Sequence, residues 1–149
     1  MNSEMIFEMK KINSSEYKEI LQVWESSVRA THDFLKEKDI ESLIPLVKIG
    51  IREVENIVVV KDNDMIKAFM GIEKDKIEML FIKDEYRGYG IGKKLMTYAI
   101  DKYNIKYVDV NEQNKKAVGF YTHLGFKEFD RSEIDGQGNP FPILHMKLI

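Results

Sequence analysis

The six residues Arg87-Gly88-Tyr89-Gly90-Ile91-Gly92 constrain this chain more than any other stretch. They follow the apolar run Met79-Leu80-Phe81-Ile82 and open an amphipathic segment that continues to Tyr103. A strand, a glycine-rich turn and a helix start form one unit. Glycine lets the backbone turn with φ > 0 and leaves no Cβ between the main-chain amides and an approaching anion. The first N–H groups of a helix have no intrahelical acceptor, and the macrodipole adds partial positive charge there. Such a unit is a main-chain cradle for phosphate. Which phosphate compound it suits decides the chemistry.

Composition narrows the answer. At 149 residues the chain has the size of one domain with one core, so a single domain over residues 1–149 is expected. Hydrophobic content of 44% and charged content of 32% fit a globular chain rather than a disordered one. No apolar run approaches ~20 residues, and Met1–Lys10 lacks a signal-peptide core, so no membrane partner and a cytoplasmic location are expected. The absence of cysteine excludes disulfides, a thiolate nucleophile and a zinc finger. The formal net charge is −2 with the basic residues scattered among acids, which argues against nucleic acid as a partner. His123 and His145 have no companions at metal-ligand spacing, and no metal is expected.

Periodicity supplies the element order. Met5–Lys11 reads as a first strand, and Asn13, Ser14 and Ser15 as capping residues before a helix that turns Ile20, Leu21, Trp24 and Val28 inward. A second helical region starts near Lys36, and Pro45 predicts two short helices there rather than one long one. Ile57–Lys61, Met65–Glu73 and Ile77–Ile82 form a three-strand meander joined by turns at residues 62–64 and near Asp75. After the glycine turn come a helix to Tyr103, a strand Tyr107–Val110 and a short helix Asn114–His123. Strands Phe126–Arg131 and Ile143–Leu148 follow, separated by the turn at residues 135–140. The fold class is α/β or α+β with a mixed sheet.

Counting separates three kinds of glycine loop. A P-loop needs four residues between its glycines and then Lys-Ser/Thr; here three residues lie between Gly88 and Gly92, and Lys93 precedes Lys94. A dinucleotide fingerprint needs a third glycine where Lys93 stands, and belongs to the first βαβ unit rather than behind a meander. The third kind fits. Residues 80–95, LFIKDEYRGYGIGKKL, resemble the acetyl-CoA motif of the GNAT superfamily of N-acetyltransferases. Twenty-seven residues after Arg87 begins NKKAVGFY (114–121), followed by LGF (124–126), which resembles the family's second motif. The strings ATHDFL (30–35) and VNEQN (110–114) further resemble its small bacterial YjaB-type branch. Asp84 departs from the pattern, which commonly has proline there.

The resemblance implies a mixed, mostly antiparallel sheet of about seven strands flanked by helices, with two strands splayed to admit acetyl-CoA. It implies that Arg87, Gly88, Tyr89, Gly90, Ile91 and Gly92 hold the pyrophosphate mainly through backbone N–H groups. Leu80, Phe81 and Ile82 would line pantetheine, and Lys93 and Lys94 are candidates for the 3′-phosphate. Asn114 is either an N-cap or a contact to the CoA chain. Tyr121 is the candidate acid for the departing thiolate, against an alternative role as corner packing. The acceptor would be a primary amine, on a protein lysine or a small molecule. Glu78 shares strand parity with Leu80 and Ile82 and is the candidate base, or else a solvent-side acid. Trp24, His32, Asp33, Phe34 and Glu112 are candidates for contacting the acceptor. The lack of cysteine agrees with direct transfer. The competing reading is an acyl-CoA sensor or partner module without turnover; either a monomer or a homodimer would serve.

Overall fold

A computed structural model of the protein describes residues 4–149. The chain runs β1 (Glu4–Met9), α1 (Ser14–Thr31), α2 (Glu37–Glu53), β2 (Asn56–Asp62), β3 (Met65–Glu73) and β4 (Lys76–Ile82). It continues through α3 (Ile91–Tyr103), β5 (Tyr107–Asn111), α4 (Lys115–His123), β6 (Phe126–Ser132) and β7 (Ile143–Leu148). A short 3-10 turn, Asp84–Tyr86, precedes the glycines. The seven strands form one sheet in the order β1-β2-β3-β4-β5-β7-β6, antiparallel throughout except for β4 and β5. This is the element order and sheet type read from the sequence.

Local chemistry explains the elements. Asn13 and Glu16 form a capping box at the start of α1: the Glu16 N–H donates to Asn13 Oδ1 at 2.8 Å and the Asn13 N–H to Glu16 Oε1 at 3.2 Å. Asn104 ends α3 with φ 52°, a left-handed conformation that asparagine tolerates. Strand β2 is buried from Ile57 to Val60 because both sheet faces are covered, so its run is continuously apolar rather than alternating. Ile57 and Val59 pack with Ile20, Trp24 and Ile40 on the α1/α2 face, whereas Val58 and Val60 pack with Leu95, Met96 and Tyr121 on the α3/α4 face.

Two readings change. Pro45 lies inside one continuous helix, α2, rather than dividing two. The ring removes the hydrogen bond to the carbonyl four residues back, but Glu41 and Pro45 both lie on the exposed side, where water can replace that bond. Burial of Ile40 and Ile51, with Leu43, Ile44 and Val47 packed beside them, carries the helix through. Strand β1 ends at Met9, two residues before the expected Lys11.

The fold's consequence for function is a gap. Strands β4 and β5 pair only at Lys76↔Tyr107 and Ile77↔Val108; beyond Ile77 they diverge. Strand β4 stays bonded to β3 as far as Ile82↔Ala68, and β5 to β7 as far as Asn111↔Ile143, so each diverging strand is held straight by its other neighbour. The splay implied by the resemblance is present.

Candidate active site

A cleft of about 360 Å³ opens where β4 and β5 part. One wall is β4, with Glu78, Leu80, Phe81 and Ile82; the other is β5, with Asp109, Val110 and Asn111. Ser27, Thr31 and His32 of α1 close one side, and Asn114, Phe120 and Tyr121 of the α4 region the other. The cleft continues past Ile82, Arg87 and Gly92 into a pocket of about 950 Å³ that reaches Gly88, Gly90, Lys93 and His123. Another hollow, of about 550 Å³ around Met9, Tyr17 and Arg52, contains none of the candidate catalytic, cofactor or acceptor residues.

The turn at the cleft's far end has the conformation of a cradle. Gly88 and Gly90 have φ of 85° and 81°, and a Cβ added at either would meet nothing within 4 Å. They are therefore glycines for backbone conformation, and the space in front of them is open. Gly90 is also the N-cap of α3, and Lys94 is the first residue whose N–H bonds back to it, at 3.1 Å. The amides of Ile91, Gly92 and Lys93 precede that first bond, so they are the ones a helix leaves for an anion. Gly92 differs: an added Cβ would lie 3.1 Å from Ile82 Cδ1 and 3.2 Å from Phe120 Cζ, so its smallness brings α3 against β4 and α4.

Tyr121 is buried with its ring edge-on to Phe120 and Phe126, at centroid distances of 5.1 and 5.7 Å. Burial pushes the phenol above its ordinary pKa, which keeps the proton on oxygen. Packing and proton donation are therefore compatible for this side chain. Asn114 is the N-cap of α4, its Oδ1 accepting from the Ala117 N–H at 3.2 Å while the residue also borders the cleft.

Several candidates are placed differently from expectation. Arg87 donates its own amide to Asp84 O at 3.2 Å, and its guanidinium bonds Asp84 Oδ1 at 2.9–3.0 Å. Its N–H is thus spent on the turn. Tyr89 is 76% exposed beside the turn. Lys94 pairs with Glu4 at 3.3 Å and does not border the pocket, whereas Lys93 does, together with Lys116 of α4. Trp24 is 3% exposed in the α1/α2 core and borders neither part of the cleft, because it continues the helical stripe of Ile20 and Val28. Glu112 is engaged by Arg131, with Nε and NH2 at 3.0 and 2.8 Å from its two oxygens, and it does not line the cleft.

The parity argument for Glu78 also changes. Gly71 pairs with Met79 and Ile72 with Ile77, so Glu78 is the extra residue of a β-bulge. Its carboxylate still borders the cleft, 3.8 Å from Lys76 Nζ. His32 lines the cleft at the end of α1, and Phe34 stands behind it, its ring 5.3 Å from the imidazole and 5.7 Å from Phe141 of the β6–β7 loop. Asp33 does not line the cleft.

Asp109 was not singled out in the sequence. It binds Lys76 Nζ through Oδ2 at 2.7 Å and His145 Nδ1 through Oδ1 at 2.7 Å, and His145 Nε2 meets Ser132 Oγ at 2.7 Å. Burial opposes ionisation of Asp109, but the hydrogen bonds from Lys76 and His145 outweigh it and hold the carboxyl below its ordinary pKa. Alternation of Tyr107, Asp109 and Asn111 with Val108 and Val110 marks it as the polar side of β5; nothing local to β5 marks its meeting with His145. Among the described residues, no group of three or more His, Cys, Asp or Glu is placed to hold a metal. No described helix is long and apolar enough to cross a membrane.

A parallel strand pair that splays over a left-handed glycine turn and a free helix N-terminus, with a buried phenol on its wall, defines an acetyltransferase class of site. The acetyltransferase (GNAT) domain family matches residues 25–149, and the chain belongs to that family. It is 35% identical over 145 residues to the peptidyl-lysine N-acetyltransferase YjaB of Escherichia coli, covering 97% of this chain and 99% of that one. Identity to the peptidyl-lysine N-acetyltransferase YjaB of Salmonella typhimurium is 37% over 142 residues, covering 95% and 98%. The solution structure of apo-form YjaB from Escherichia coli superposes with a TM-score of 0.86 at 34% identity, covering 97% of this chain and 98% of that one. The enzyme is an N-acetyltransferase of the GNAT type.

Proposed function

We propose that the protein transfers an acetyl group from acetyl-CoA directly to a lysine side chain of a protein or peptide. The observation that carries the reading is the continuity of one cleft from the phosphate cradle to the phenol of Tyr121. The residues fit the donor: the open space at Gly88 and Gly90 receives the pyrophosphate, with the amides of Ile91, Gly92 and Lys93 as donors. Lys93 is the cation for the 3′-phosphate. Leu80, Phe81 and Ile82 line the pantetheine arm, and the edge of β4 that β5 abandons offers main-chain groups to its amides. Acetyl-CoA, when bound, supplies an activated thioester.

Tyr121 donates its proton to sulfur as the thiolate departs, and burial keeps that proton available until it is needed. Glu78 and Asp109, on the opposing walls, give the cleft two carboxylates that draw a cationic acceptor between them. His32, backed by Phe34, forms the acceptor-side wall. The peptidyl-lysine activity named for the two YjaB relatives, each similar to this chain over nearly its whole length, favours lysine over a small amine.

The test is release of CoA thiol from acetyl-CoA in the presence of lysine peptides, polyamines and small primary amines. Lysine peptides should give the highest kcat/KM, with a mass gain of one acetyl group on the peptide. Preference for a small amine would reassign the acceptor. Tight acetyl-CoA binding without turnover on any amine would favour the sensor module instead.

A further inference from the structure

The acceptor amine arrives as an ammonium ion and must lose a proton before its nitrogen can attack. A lysine-type amine has a pKa of ~10.4, so at pH 7 under one molecule in a thousand is neutral in water. Three side chains bordering the cleft carry an atom that can take that proton, Glu78, Asp109 and His32, and the structure distinguishes them. Asp109 has both oxygens engaged, by Lys76 and His145. Glu78 sits on the bulge of β4 with its side chain 41% exposed and its charge shared with Lys76. His32 is more enclosed than Glu78, and its hydrogen bonds decide its tautomer.

His32 ends α1, its backbone N–H donating to Val28 O at 2.9 Å. The neighbouring Thr31 hydroxyl donates to Ser27 O at 2.7 Å. A hydroxyl has one proton, so toward His32 Nδ1, 2.8 Å away, Thr31 Oγ1 can only accept. The proton of the neutral imidazole therefore lies on Nδ1, and Nε2 is left as the ring's basic atom. Phe34 backs the ring at 5.3 Å. Burial lowers the affinity of this imidazole for a proton and Asp33 partly restores it, so the net direction keeps the ring neutral at physiological pH. The other charged groups around it are Asp109 on β5, Arg87 at the turn, Lys116 on α4, and Glu78 with its Lys76 partner on β4. The Arg29–Glu37 pair joins α1 to the start of α2.

Resting on the acetyltransferase reading, we propose that His32, and not Glu78, takes the proton that the acceptor ammonium must lose, and that Thr31 is the positioning residue that keeps Nε2 free. The balance is complete. His32 Nε2 takes one proton from R–NH3⁺. The amine nitrogen then bonds to the thioester carbon, and the carbon–sulfur bond breaks. Tyr121 gives its proton to sulfur and takes back the second proton shed by the new amide nitrogen. His32 returns its proton to solvent, so one proton leaves per turnover. Burial that lowers the imidazole also lowers an ammonium brought into the same cleft, which narrows the gap between donor and acceptor.

The experiment compares two acceptors on the full-length enzyme: a lysine peptide, and a peptide acyl hydrazide whose nitrogen is already neutral at pH 7. For His32→Gln, kcat toward the lysine peptide should fall by about 10²-fold or more. The loss toward the hydrazide should be at least tenfold smaller, and thermal stabilisation by acetyl-CoA should persist. His32→Ala should regain part of its lysine activity when imidazole is added. Thr31→Val should lose about tenfold on lysine, and Thr31→Ser should recover it. Equal losses on both acceptors would mean that His32 shapes the wall, and an undiminished rate on lysine would mean that it is idle; either overturns the proposal while leaving the acetyltransferase reading intact. Wild-type enzyme that releases no thiol with any amine would overturn that reading, and this proposal with it.

Discussion

Gly90→Ala separates the two reasons a glycine can be required, because the structure supplies a matched control. Gly90 and Gly138 have φ of 81° and 82°, and an added Cβ meets nothing within 4 Å at either. Alanine at each position should therefore cost the same backbone strain, about 1–2 kcal/mol for an L-residue in the left-handed region. In a chain of this length that lowers Tm by about 2–8 °C. The two variants should differ only in ligand. At a concentration one hundred times Kd, acetyl-CoA stabilises wild type by about 2.7 kcal/mol, and Gly138→Ala should keep that increment. At position 90 the methyl group occupies the space left for pyrophosphate. If affinity falls a hundredfold, the same concentration adds only about 0.4 kcal/mol. Thermal unfolding with and without acetyl-CoA, run on both variants, reads both quantities. Equal ligand-induced shifts in the two proteins would refute the cradle assignment, whatever the absolute loss of Tm.

Tyr121→Phe keeps the buried ring contacts with Phe120 and Phe126, so stability and acetyl-CoA affinity should hold while turnover falls by about tenfold or more; an unchanged chemical step in single-turnover kinetics would reduce Tyr121 to packing. Trp24→Ala should cost about 3–5 kcal/mol in chemical denaturation and leave the acceptor KM of the folded fraction unaltered, since the indole is buried away from the cleft; a raised KM with unchanged stability would restore it to the acceptor site. The Glu8 carboxyl is held down to about 2, against 4.5 ordinarily, by hydrogen bonds from Lys102, Tyr103 and Tyr98 that outweigh burial. The folded state then binds fewer protons than the unfolded one between those values, so stability present above about pH 4.5 is lost as pH falls toward 2, and Glu8→Gln should flatten that acid limb.

Where the sequence was legible, one local segment held the whole reason. The glycine turn is such a case: conformation, open space and free amides all belong to residues 88–93, so spacing alone located it. The capping box at Asn13 and Glu16 and the apolar stripe of α1 are others. Trp24 is another, since its spacing from Ile20 and Val28 places it on the buried stripe of α1 and away from the cleft. Features set by distant partners were hidden. Lys94 is claimed by Glu4 and Glu112 by Arg131. The parity of β4 is broken by a bulge opposite Gly71, where an added Cβ would lie 2.7 Å from Met79 Cε; the missing side chain on β3 leaves room for Met79.

The same distinction explains why the donor half of the site was easier to read than the acceptor half. In the proposed reading pyrophosphate is bound by main chain, and main-chain geometry is dictated by glycine positions that sequence displays directly. The acceptor wall is assembled from the end of α1, the bulge of β4, the polar side of β5 and the β6–β7 loop. Within one element helical or strand spacing brings only a few of them together, Ser27 and Thr31 on α1 and Asp109 and Asn111 on β5; the rest meet through long-range packing. The adjacent pair Thr31 and His32 is the part of the wall with a tautomer fixed by local bonds: Ser27, Thr31 and His32 lie within six residues of one helix end, and the chain of bonds among them is complete without a distant partner. A base held this way keeps its basic nitrogen as long as α1 is folded, whichever acceptor enters. Acceptor choice then falls to groups whose placement depends on long-range packing, Phe34 against Phe141 and Asp109 against Lys76 and His145. Substitutions there should alter acceptor KM, whereas substitutions at the Thr31–His32 pair should alter kcat, a division that steady-state kinetics on two lysine peptides of different flanking sequence can measure.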